Sequence, residues 1–86
     1  LAGYSGKDGS SIKNAIKILG ARDEIEGIRA EYQWLAEKFG EQGKGFTLEM
    51  QSLVDDGRRK YDRMDIMLAD GTRKTIYFDI TDFFGK

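Results

Sequence analysis

Residues 46–80 read FTLEMQSLV-DDG-RRKYDRMDIML-ADG-TRKTIYFDI, three runs of alternating apolar and polar residues parted by two Asp-Gly turns. Asp55-Asp56-Gly57 and Ala69-Asp70-Gly71 each read as a three-residue hairpin loop with glycine in the left-handed position. Such a loop keeps even-numbered residues opposite even-numbered ones. Phe46, Leu48 and Met50 then share a face with Met64, Ile66 and Leu68, and with Ile76, Phe78 and Ile80. A two-residue loop would instead set apolar residues of one strand beside outward residues of the next. The expected strands span 46–54, 59–68 and 73–80, a meander with one apolar face.

An apolar sheet face needs a cover, and residues 22–39 supply one. Ile25, Ile28, Tyr32, Leu35, Ala36 and Phe39 recur at helical spacing. Asp23, Glu24 and Glu26 suit the positive end of a helix dipole, Lys38 suits the negative end, and Gly40 suits a C-terminal stop. Glu41 to Gly45 reads as a flexible connection. Upstream, Ile12, Ala15, Ile16 and Leu19 fit a helical stripe, whereas Ile16 and Ile18 alternate with Lys17 as in a strand. The favoured reading is a cap or helical turn near Ser11 leading into a fourth strand over 15–19, closed by Gly20. Its place, beside 46–54 or beside 73–80, is left open. Residues 1–11, with three glycines and Tyr4 as the large side chain, read as a flexible arm ahead of a single domain over 12–86. After the last strand, Thr81 to Gly85 should turn and tuck one phenylalanine under the core. The expected class is α+β, one helix on a four-stranded, mostly antiparallel sheet in the order β-α-β-β-β.

Composition narrows the chemistry. A chain of 86 residues has room for one core and buries roughly 60–65% of its unfolded surface. It has no cysteine, hence no disulfide and no thiolate metal site, and no histidine, the usual general base near neutral pH. Fourteen basic against fifteen acidic residues leave a net charge of −1, which argues against a nucleic-acid footprint. No apolar run approaches the ~18 residues of a membrane span, and no charged start leads into an apolar stretch as in a secretion signal. Leu1 at the first position suits a processed chain or a piece of a longer one. The compartment is left open, with the cytoplasm favoured.

Two surfaces stand out as candidates for function. By the expected register Thr47, Glu49, Gln51, Tyr61, Arg63, Asp65, Met67, Thr75, Tyr77 and Asp79 point away from the helix, with Glu49 beside Arg63 and Tyr77 or Asp79 on its other side. This open face reads as a polar binding surface, as a carboxylate site centred on Glu49, Asp65 and Asp79, or as a plain solvated face. An arginine among the acids would hold them ionised, which counts against acid-base work. The second surface is Trp34, about 180° around the helix from Ile25, with Gly27, Ala30 and Lys38 as neighbours. An aromatic over small residues suits a docking spot. Cover from the arm or the 41–45 loop, or a ring lying flat on Lys38, is the plainer alternative, with simple exposure after it.

Nothing marks a nucleophile or a phosphate cradle. The P-loop pattern fails around Lys7, where Asp8 stands in place of Ser or Thr, and Gly43-Lys44-Gly45 lacks the third glycine of a dinucleotide motif. Asp8-Gly9-Ser10 lacks the acidic closer of a calcium loop. Arg58-Arg59-Lys60 and Arg73-Lys74 fall at opposite ends of the sheet and make no single basic patch. The sequence therefore points to a small non-enzymatic protein-interaction domain, meeting a protein partner or itself through the Trp34 face, the open sheet face or an edge strand. A metal-dependent hydrolase using Glu49, Asp65 and Asp79 is the alternative, and single-stranded RNA stacked on Tyr61 and Tyr77 beside Arg63 is a second. No cofactor, small-molecule ligand, nucleic acid or membrane is expected.

Overall fold

The structure, a computed structural model, describes residues 3–86. Two hairpins build its larger part: β3 (Phe46–Asp55), β4 (Lys60–Leu68) and β5 (Arg73–Asp79). Before them come β1 (Gly3–Gly6), β2 (Ile16–Leu19) and α1 (Glu24–Phe39). The class is α+β, with one helix against a mixed five-stranded sheet in the order β1-β2-β5-β4-β3.

The expected fourth strand exists and lies beside β5, to which it runs parallel, with Ile16 opposite Phe78. Ile16 and Ile18 are fully buried. The fifth strand corrects the reading of residues 1–11 as a free arm. Gly3–Gly6 pairs antiparallel with β2, Tyr4 opposite Ile18, and the Tyr4 hydroxyl donates to the Ala30 carbonyl at 2.7 Å. Four paired residues and one side chain against the helix are enough to hold this glycine-rich stretch. Leu1 and Ala2, which the expected arm also included, lie outside the described residues.

Between β4 and β5 the register is the expected one. Asp62, Met64 and Ile66 face Phe78, Ile76 and Lys74, around the three-residue loop Ala69-Asp70-Gly71, with Gly71 at φ 86°. Between β3 and β4 it is not. Asp55 pairs with Lys60 and the Asp56 N–H donates to the Arg59 carbonyl, so the loop narrows to Gly57 and Arg58. That sets Val54 opposite Tyr61 and Met50 opposite Asp65, one step out of phase. A bulge at Glu49 absorbs the extra residue and returns Leu48 opposite Ile66 and Phe46 opposite Leu68. Met50 is therefore exposed, not in the core, and Gln51 turns to the helix side.

The helix begins at Asp23, whose side chain accepts the Glu26 N–H at 2.9 Å, and ends at Gly40, φ 103°. Its inward face keeps part of the expected stripe, with Leu35 buried and Tyr32 and Phe39 packed against the core, but is rotated at the N-terminal end. Gly27, Ala30, Glu31 and Leu35 are buried, whereas Ile25 is 66% exposed and Ile28 is 39% exposed. Small residues win because they let the backbone approach. A Cβ on Gly27 would stand 2.3 Å from Phe83 Cε1, and Phe83 is the phenylalanine that the C-terminal turn carries into the core. The core gathers Ile16, Ile18, Leu35, Phe46, Met64, Ile66, Phe78 and Phe83 into one cluster.

Candidate functional site

The open face gives each of its acids an arginine: Glu49 and Asp65 line one cleft together with Arg63 and Arg73, and Asp79 lies outside it. The Arg73 guanidinium takes Glu49 at 3.1 Å, Arg63 takes Asp65 at 3.2 Å, and Arg59 takes Asp79 at 2.6 Å. The loop explains the first pairing, since setting Asp55 opposite Lys60 places Arg63 opposite Ser52, three residues along β3 from Glu49. Arg63 meets Tyr77 as expected, 6.0 Å from the ring centre. The Thr75 hydroxyl donates to Asp65 at 2.6 Å, and that bond, with Arg63 behind it, holds the Asp65 carboxyl below its ordinary range. Burial works to raise Asp79, but hydrogen bonds from Arg59 and Thr81 outweigh it and leave the carboxyl lowered. Tyr61 and Asp79 are buried, with only 6% and 8% of their surface exposed. Tyr61 therefore presents no ring for a base to stack on. Among the described residues no three acids come together as a metal site.

The Trp34 patch is turned inward. Gly27 and Ala30 belong to the buried helix face. The indole packs edge-on against Phe78 at 5.7 Å and Phe39 at 6.2 Å, and Lys38 lies over it at 5.7 Å. Trp34 also lines a cleft shared with Asp8, Ser10, Lys74 and Thr75. This placement matches cover within the monomer, and the cover is the sheet itself, with Tyr4 packed nearby against the helix.

A third region was not singled out by sequence. A cleft of about 200 Å³ runs between α1, β3, β4 and the C-terminal turn, lined by Ile28, Leu53, Phe83 and Phe84 with Glu24, Gln51 and Asp62. Three of its apolar side chains are exposed: Leu53 52%, Ile28 39% and Phe84 39%. They converge because the bulge sends odd-numbered residues of β3 to the helix side, because α1 rotates Ile28 outward, and because the Glu24 carboxylate accepts the Gly85 N–H at 2.7 Å and anchors the turn. Lys60 lies 5.9 Å from the Phe84 ring and is tied to Asp55 at 2.9 Å.

Beside this cleft sits the most unusual group in the chain. Glu31 is fully buried, and neither carboxyl oxygen has a hydrogen-bond partner among the described residues. Loss of water pushes its carboxyl up to about 10, with Asp62 beside it as the second cause. Glu31 is therefore neutral at physiological pH, which is what lets two carboxyl groups share this corner. Asp62 reaches the cleft and accepts from Gln51 Nε2 at 3.3 Å. The available signal was weak: Glu24, Ile28 and Glu31 fall on one line of the helix, but a lone glutamate on a charged helix reads as solvated.

No protein-family model, curated protein or solved structure matches the chain.

Proposed function

We propose that the chain is a non-enzymatic protein-interaction domain that seats an extended segment of a partner protein in the cleft between α1, the end of β3 and the C-terminal turn. The observation that carries the reading is the convergence of Ile28, Leu53 and Phe84, three exposed large apolar side chains lining one cleft. Scattered exposed apolar residues need no explanation, but ones gathered around a concave site favour a binding surface. Edge position adds to it. Gln42 bridges β3 at Phe46 and the bulge interrupts its edge at Glu49. But no described strand pairs with the outer side of the stretch beyond, Gln51 to Asp55, which leaves that backbone for a segment lying along the cleft.

The test is selection of a displayed random-peptide library on the immobilised chain, in parallel with Leu53→Arg. Enrichment of a shared apolar motif that binds the parent and is lost on Leu53→Arg is the expected result. Enrichment of peptides indifferent to Leu53, or of none, would move the function elsewhere.

A further inference from the structure

Among the described residues seven ion pairs account for Asp55, Asp65, Asp79, Asp82, Glu26, Glu41 and Glu49. Neither Asp62 nor Glu31 is in any of them. Asp62 receives one long hydrogen bond from a neutral amide, and Glu31, with no other hydrogen-bond partner among the described residues, lies against Asp62 itself. Two acids without a cation, one opening on a cleft with apolar walls and the other fully buried behind it, make an arrangement that a positive side chain would complete. We propose that the inner end of the cleft is a receptor for the guanidinium or ammonium group of a partner's arginine or lysine, held by Asp62 and Glu31 together. This rests on the cleft being the partner-binding surface.

The geometry fits an alkyl cation better than a bare ion. Ile28, Leu53, Phe83 and Phe84 line the approach and would sheathe the methylene stem of a long basic side chain. A metal ion would find no three acids gathered to hold it among the described residues, the third carboxylate of the cleft, Glu24, being turned to the Gly85 N–H. The charged and titratable groups around the pair are Glu24 and Tyr32 from the helix and Lys60 from β4, while β3 contributes the neutral Gln51 and the turn a backbone amide. Glu24 is spent on Gly85, and Lys60 on Asp55. When the cation arrives, it favours the charged form of Glu31, so the proton on that carboxyl leaves to solvent and binding releases a proton.

The probes are n-butylguanidinium and its uncharged counterpart n-butylurea, titrated separately into the isotopically labelled full chain and followed by amide chemical shifts. The expected result is saturable shifts at Ile28, Gln51, Leu53 and Asp62 with the cation, and affinity about tenfold or more weaker with the urea. Affinity for the cation should rise with pH over roughly pH 6 to 9, by up to about tenfold per unit, as proton release becomes easier. In Glu31→Gln, which keeps the shape of the neutral acid, that pH dependence should vanish. Equal binding of the two probes would overturn the cation receptor while leaving an apolar cleft for a partner. Magnesium chloride competing at the same amides would also overturn it, in favour of a simple ion site. Cation binding with no pH dependence would remove Glu31 from the receptor. Should Glu31→Gln fail to fold, the comparison of the two probes on the parent still decides.

Discussion

Phe83 occupies the space that a side chain on Gly27 would need. Glycine inside a helix is unfavourable by about 0.5–1 kcal/mol relative to alanine, so Gly27→Ala would stabilise an isolated helix. Here the new methyl would fall 2.3 Å from a buried ring, and overpacking costs about 1–3 kcal/mol. The second effect is the larger, and Gly27→Ala should lower stability in urea denaturation by about 1–2 kcal/mol. On a Phe83→Leu background the penalty should shrink, because the smaller side chain yields; an equal penalty on both backgrounds would mean that the clash is not its source. The same packing explains what was illegible at this scale. Weighing hydrophobic size selects Ile25 and Ile28 for the core, whereas the helix approaches the sheet through Gly27 and Ala30, whose lack of bulk is their contribution. Glu31 was hidden for a related reason: only the approach of Asp62 from a distant strand shows that this helix position is buried.

At the scale of elements, the alternation within each strand carried most of the fold, and the joints between strands were where it failed. Helix limits, the meander and the position of Gly20 after β2 follow from caps, turn residues and periodicity. The loop around Gly57 did not, because Asp55-Asp56-Gly57-Arg58-Arg59 supports a two-residue turn as well as a three-residue one, and the choice is made only where Glu49 bulges to restore the core register. That single residue moved Met50 outward and Leu53 toward the cleft. It also has a second consequence, since bulges on edge strands disrupt the flat backbone on which another chain could pair. Deleting Glu49 removes an exposed ion pair with Arg73, worth at most ~1 kcal/mol, and leaves residues on both sides of it facing as they do now. The expected outcome is a folded chain whose sedimentation coefficient rises with concentration more steeply than that of the parent. An unchanged concentration dependence would show that the bulge sets register alone. β1 was illegible because four residues rich in glycine carry no pattern; Tyr4 reaching Ala30 is what gives them a place.

For the whole molecule, the titrating groups pull stability in opposite directions along the pH axis. Asp8, Asp55, Asp65, Asp70 and Asp79 all have carboxyls held below their ordinary value of 3.8. Groups lowered in the folded state bind fewer protons there, so their contribution is present above that value and is lost as pH falls through it. Glu31 behaves in the reverse sense. Its carboxyl, ordinarily at 4.5, is raised to about 10, so between those values the folded chain holds a proton that the unfolded chain has released. Stability then declines steadily as pH rises across that window. Tyr4, Tyr32 and Tyr61, raised chiefly by burial, extend the decline further into alkali. The two trends meet at mildly acidic pH, and thermal melting of the parent should peak near about pH 5 and fall toward pH 9. Glu31→Gln removes the ionisable group while keeping its shape, so its melting temperature should stay nearly level from pH 5 to 9, and the gap to the parent should widen with every unit. The acid limb, set by the five aspartates, should be common to both proteins. A parent melting temperature that stays level over the same range would mean that Glu31 ionises in place without cost, and the buried corner beside Asp62 would then already hold a charge that the fold can support.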